Sequence, residues 1–306
     1  MRSRFWRILQ WAFAVAIVGF AATRLAGEWT RLREQPVVWE LRPWYLVASV
    51  LVVWLMYAVL IQAWRAMLAG WGDHLPPVTA ARIWTVSSLG KYIPGKLWAI
   101  AGMALMAQRA GVRPWTATAS AVVLQALAIG TGAAVVGGAG VQSLESRYPW
   151  VPLALRGLVM LSLLGVALLL WPPFVRRLLR LVRIDVEKAS PGAGPVLGGA
   201  LANLAAWCGY GVAFWLLAHG LFAVGALTPG LAITTFAASY VAGLLFLPAP
   251  GGIGIRESVV IIILGSAIGE ASALALAIAS RVLLTITEFG AAAPFLLAGE
   301  RTGGDD

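Results

Sequence analysis

Charge is scarce in this chain. Only 12% of its 306 residues are Asp, Glu, Lys or Arg, about half the share usual for soluble domains, while 60% are hydrophobic. That balance excludes a water-solvated globular domain and fits a membrane protein. Acids are scarcer than bases, 13 against 23, for a formal net charge of +10. The excess does not point to nucleic acid, because the basic residues are spread through the loops between apolar runs. Positive-inside bias and anionic headgroups account for them there. Histidine is nearly absent: His74 and His219 have no companions at metal-ligand spacing, and neither is read as a ligand. The lone cysteine, Cys208, excludes an internal disulfide and says nothing about compartment. Without an acidic cluster or a His/Asp pair, no catalytic centre and no cofactor are expected.

What the chain does have is long uncharged runs. Pro43 to Trp64 and Pro114 to Leu144 contain no charged residue, and from Ala189 to Ile255 the only ionisable groups are His219, Cys208 and tyrosines. A helix needs about 20 apolar residues to cross a bilayer, so there is room for roughly six to nine crossings. The expected architecture is all-α, a polytopic integral membrane bundle in a single domain over 1–306. It has about six full spans and two broken segments, at about 79–108 and 230–268. Full helices are predicted at about 6–26, 43–68, 116–140, 151–171, 197–222 and 272–297. The basic stretch Arg2, Arg4, Arg7 before the first run reads as an uncleaved helix rather than a signal peptide, because the run is long and more membrane follows.

The loop at about 172–195 carries Arg176, Arg177, Arg180, Arg183 and Lys188 against Asp185 and Glu187, so it is expected to be cytoplasmic. A basic N-terminus on the same side requires an even number of crossings between the two, and the four full helices already supply it. The segment 79–108 must then enter and leave on the cytoplasmic face. Its arms, Thr79–Leu89 and Gly95–Gln108, reach only about 16 and 21 Å as helices, too short for either to cross alone. Segment 230–268 is expected to open from the opposite face, as one hairpin or as two spans, and the C-terminus to end inside.

The first break reads Gly90-Lys91-Tyr92-Ile93-Pro94-Gly95-Lys96-Leu97-Trp98, and the second Pro248-Ala249-Pro250-Gly251-Gly252-Ile253-Gly254-Ile255-Arg256-Glu257-Ser258. Pro94 removes a backbone donor and Gly95 relaxes the backbone, so a helix stops and restarts there. The restarted N-terminus favours an anion. Lys91 and Lys96 would add full charges beside Tyr92 and Trp98, and Arg256 offers a guanidinium suited to phosphate or carboxylate. Pro250, Gly251, Gly252 and Gly254 offer close-approach backbone. Two broken segments entering from opposite faces are what inverted-repeat transporters place around a midplane site. Plainer readings stand beside these. Lys91 and Lys96 can snorkel to the interface, Arg256 can pair with Glu257, Glu288 or Glu270, and Arg281 with Glu288 seven residues on. Gly90 to Lys96 also matches the opening of a P-loop, but Leu97 stands where that motif needs Ser or Thr, and nucleotide binding is rejected.

The 90–98 motif, Gln108-Arg109-Ala110-Gly111-Val112 behind it, the Pro-Gly-Gly-Ile-Gly-Ile-Arg-Glu of 250–257, and Ser280-Arg281 resemble the flippase-type transmembrane domain of the lysylphosphatidylglycerol synthase family, over about 10–295. The resemblance implies movement of a lipid between leaflets of a bacterial-type inner membrane. It also implies a headgroup cavity lined by the Pro-Gly segments, Arg256, Glu257 and Arg281. The full synthases carry a soluble domain that transfers the aminoacyl group. This sequence stops at Asp306, so lysyl transfer is not expected. The expected function is therefore a non-enzymatic, flippase-like protein binding an amphiphilic lipid, phospholipid or polyprenyl-phosphate-linked, with an anionic headgroup. The alternative is a non-transporting membrane subunit that presents lipid-linked substrate to a glycosyl- or aminoacyltransferase partner. Without an ATP site, Glu257 or Glu288 is the candidate proton carrier.

Overall fold

The computed structural model describes residues 37–92, 98–139, 151–171, 173–174, 177, 191–223, 225–245 and 252–297. The helix predicted over 6–26 and most of the basic loop lie outside them. Nine α-helices lie among the described residues: α1 (Pro43–Gly70), α2 (Pro77–Ser88), α3 (Trp98–Arg109), α4 (Pro114–Ala139), α5 (Val151–Leu170), α6 (Ala193–Leu221), α7 (Pro229–Leu245), α8 (Ile255–Ile268) and α9 (Glu270–Leu297). The extended backbone described is a single bridge, Trp39 to Phe222. Prolines 43, 77, 114 and 229 open their helices, where a missing N–H costs nothing. Four helices, α1, α4, α6 and α9, are long and apolar enough to cross a membrane. They keep apolar residues on their outer faces too. Trp44, Val47, Leu51 and Leu55 of α1 all point outward, as suits a surface that meets hydrocarbon.

Helices α1 and α6 run antiparallel and form the centre. At one end, here end A, Gly70 packs onto Pro191 and Pro195. At the other, end B, Glu40 and Arg42 donate backbone hydrogen bonds of 2.9 Å to the carbonyls of Leu221 and Gly220. Between them Gly209 admits the side chain of Met56, where a methyl group would collide with the thioether. Small residues at such crossings let helices approach closely in lipid, where packing rather than water drives association.

The segments on either side of this pair are hairpins. In the first, α2 and α3 lie antiparallel: a Cβ on Gly90 would sit 2.8 Å from the Ala99 nitrogen, and one on Gly102 would sit 3.7 Å from the Ser87 Cβ. Its base is tied at end A by Arg113, whose Nε lies 3.1 Å from Asp73 and which also donates to the Trp71 carbonyl. Both arms have 12 residues. The second hairpin, α7 and α8, has arms of 17 and 14 residues. Trp215 Nε1 holds the Leu227 carbonyl before α7 at 2.9 Å. The far end of α8, Ala267 and Ile268, lines one concavity with Val38 and Phe222. Both ends of this hairpin therefore lie at end B.

Gly111 and Gly269 follow the two hairpins with φ of +90° and +83°, a conformation that side-chain-bearing residues resist. Each turns the chain into a long helix, α4 or α9. The same order, long helix, two short arms, glycine, long helix, thus occurs twice and in opposite directions. Each hairpin has its own apolar core, and Tyr57 packs against both.

Candidate functional site

The tips of the two hairpins reach the middle of the bundle from opposite ends. The first ends in a tight 3-10 turn, Leu89–Tyr92, where close backbone approach at Gly90 leaves no space for a side chain. Lys91 leaves this turn and forms an ion pair with Glu288 of α9. Beside it Trp54 of α1 donates from Nε1 to the Thr287 carbonyl at 3.1 Å, and the Tyr57 hydroxyl lies 3.4 Å from Thr287 Oγ1. Trp54 and Tyr57 stand halfway along α1, which fixes the height of the tip.

The second tip turns at Gly252 and Gly254, with φ of +69° and +84°. The Gly254 N–H donates 2.7 Å to Glu257 Oε2, so the first turn of α8 is capped by its own carboxylate. The other oxygen of Glu257 pairs with Arg281 of α9. Arg256 points elsewhere. Its stem lies in a slot between Gly243 and Gly252, where a Cβ on either glycine would come within 2.7 or 3.2 Å of its Cγ. Its guanidinium sits 4.7 Å from the Tyr240 ring centre and 5.9 Å from that of Phe236, in reach of cation–π attraction. Glu257, Glu288 and Arg281 stand within electrostatic range, but among the described residues no carboxylate pairs with Arg256. Its Nε is enclosed without a hydrogen-bond acceptor.

The rings around Arg256 continue as a lattice. Tyr240 meets Trp207 at 5.6 Å, Phe236 meets Tyr210 at 5.8 Å, and Tyr210 meets Tyr57 at 6.2 Å. Three cations and two carboxylates therefore meet at mid-height against an aromatic wall, with Glu257 9% and Glu288 6% exposed. Four of these charges are paired, as a low-dielectric interior favours, and the fifth, Arg256, rests on the rings.

Of the sequence-predicted site residues, Lys91, Gly252, Arg256, Glu257, Arg281 and Glu288 come together here. Gly254 forms the cap and is itself exposed. Trp98 opens α3 and is 51% exposed. Pro94, Gly95, Lys96, Pro250, Gly251 and the Tyr92 side chain lie outside what is described. Of the pairings left open, Arg281 meets Glu257 and Glu288 meets Lys91, so that each hairpin tip is paired to α9. Gly252 lies against Gly243 and the stem of Arg256. Sequence reasoning missed Tyr57, Tyr210, Phe236, Tyr240 and Gly243. The i,i+4 spacing of Phe236 and Tyr240 was the available signal, since it stacks both rings on one helix face.

No curated protein matches the chain. Residues 7–290 match the family described as the lysylphosphatidylglycerol synthase TM region, nearly the whole chain, as the two broken motifs led one to expect. The chain belongs to that family and is an integral membrane protein related to lipid handling.

Proposed function

We propose that this protein is a flippase-like carrier that binds the headgroup of an amphiphilic lipid between its two hairpin tips and moves it between leaflets. The observation that supports this is the meeting of two hairpins from opposite ends, with their charges gathered at mid-height. Each hairpin is rooted at one end only, and α9 touches both tips. In this reading α1, α4, α5, α6 and α9 cross the membrane, five of the about six crossings expected from the sequence. The hairpins are re-entrant and arranged as an inverted pair. End A, with the start of α6 and the base of the first hairpin, is cytoplasmic, as are both termini, in a bacterial-type inner membrane. The protein acts as a carrier and not as a catalyst.

The test is exchange of fluorescent lipids between leaflets of liposomes holding purified protein, with anionic, zwitterionic and polyprenyl-phosphate headgroups. Exchange that is lost in Lys91→Ala and Arg256→Ala supports the carrier. Folded protein that exchanges no headgroup overturns it and favours a subunit that presents lipid-linked substrate to a transferase.

A further inference from the structure

The loop between α1 and the first hairpin frames another cationic position, at end A and away from the hairpin tips. The loop is held firmly. The N–H groups of Trp71 and Asp73 donate to the Leu68 carbonyl at 3.0 and 3.1 Å, and Trp71 and Leu75 are buried. Arg65, in the last turns of α1, reaches across to it: Nε donates to the Leu75 carbonyl at 2.9 Å and Nη1 to Gln62 Oε1 at 2.5 Å. Both acceptors are neutral, so they fix the plane of the guanidinium and leave its charge in place. The carboxylate of the loop, Asp73, is turned to Arg113 instead, at 3.1 Å. Because Gln62 accepts through its oxygen, its amide nitrogen presents two further donors. Arg65, Gln62 and His74 line a cavity of about 290 Å³ whose remaining wall is Ala66, Ala69 and Leu75. One side of it therefore offers positive charge and N–H donors, the other small apolar groups. Helix α1 is long and apolar enough to span, which places its last turns near headgroup depth.

We infer that this cavity binds a phosphate group, in a site separate from the hairpin tips and independent of the carrier reading. The planar fork of Arg65 matches two phosphate oxygens, and the Gln62 amide and the His74 ring add donors for the others. A carboxylate has fewer oxygens to offer three donor groups. The alanines and Leu75 give a glycerol-sized substituent an apolar wall. Basic pockets between helices at this depth suit phosphate headgroups, and the same chemistry belongs to a free phosphate ester arriving from the aqueous side. Leu75, which accepts from Arg65, stands two residues before α2 begins at Pro77. An occupant therefore fastens the end of α1 to the root of the first hairpin, and acts as a stabilising ligand rather than as cargo.

The test is calorimetric titration of the protein in mild detergent, with each variant checked for fold by circular dichroism. The probes are inorganic phosphate, glycerol 3-phosphate, dihexanoylphosphatidylglycerol and the phosphate-free dihexanoylglycerol. Wild type should bind at least one phosphate-bearing probe, and dihexanoylglycerol should not bind. Arg65→Gln should weaken that binding by about tenfold or more, the effect of losing a charge-assisted hydrogen bond. Gln62→Ala and His74→Ala, at exposed positions that leave the bond to Leu75 in place, should each weaken it by about three- to fivefold. Arg256→Gln, at the other site, should leave it unchanged. Preference for the phosphatidylglycerol by about tenfold or more over glycerol 3-phosphate identifies a lipid as the source, and equal or tighter binding of glycerol 3-phosphate or inorganic phosphate identifies a free ester. Binding that is absent in wild type, unchanged in Arg65→Gln, equal for dihexanoylglycerol or lost in Arg256→Gln overturns the assignment.

Discussion

At the scale of single residues, the ion pairs are the first thing to perturb. Lys91 is 32% exposed at its side chain against 7% for Glu288, so solvent or headgroups screen part of their attraction. Removing Lys91 still takes this cation away from a buried carboxylate. Lys91→Ala and Glu288→Ala should each lower the melting temperature in detergent. The swap Lys91→Glu/Glu288→Lys should recover part of the loss, with a non-additivity of about 1 kcal/mol or more. Additive losses would mean that the two residues do not meet. Gly243 offers a second test. Its added Cβ would sit 2.7 Å from Arg256 Cγ and 3.3 Å from the Gly252 backbone. Gly243→Val should therefore destabilise by about 1–3 kcal/mol, the usual cost of overpacking, and displace the guanidinium from its rings. A melt equal to wild type would remove the slot from the account. The pairing itself was not legible in the sequence. Lys91 and Glu288 are 197 positions apart, and at membrane depth several combinations of five charges look equally good until the helices are placed.

At the scale of elements the sequence was more informative, because breaks and uncharged runs are local signals. Proline, glycine and missing charge placed the long helices within a few residues of where they lie. The second hairpin was harder to read: arms predicted at 17 residues each looked nearly long enough to span, and α8 is shorter, at 14. Its capping by Glu257 depends on a turn that the string Gly-Gly-Ile-Gly does not fix by itself. The aromatic wall stayed hidden for another reason. In helices apolar on every face, no periodicity separates a ring facing a site from one facing lipid. The hairpin geometry can be checked directly. In a chain with Cys208→Ser, the pair Ser87→Cys and Gly102→Cys places two Cβ atoms about 3.7 Å apart, within the range a disulfide bridges. Mild oxidation should link them completely, as read by peptide mass. Failure to link would mean that α2 and α3 do not lie side by side.

At the scale of the whole molecule the prediction concerns sides. End A collects the bases of α2 and α3 with the start of α6, and end B collects both ends of the second hairpin. With Cys208→Ser as background, a cysteine at His74 and one at Gly225, both exposed positions, should react with an impermeant thiol reagent from opposite faces of oriented vesicles. Labelling of both from one face would contradict the arrangement of ends and with it the parity of the crossings.

Arg281 and Glu288 stand seven residues, about two turns, apart on α9, one serving the second hairpin and the other the first. The helix thus fastens both tips to one element, like two collars on a single shaft. Their signs are opposed as well, since one tip offers the cation and the other the anion.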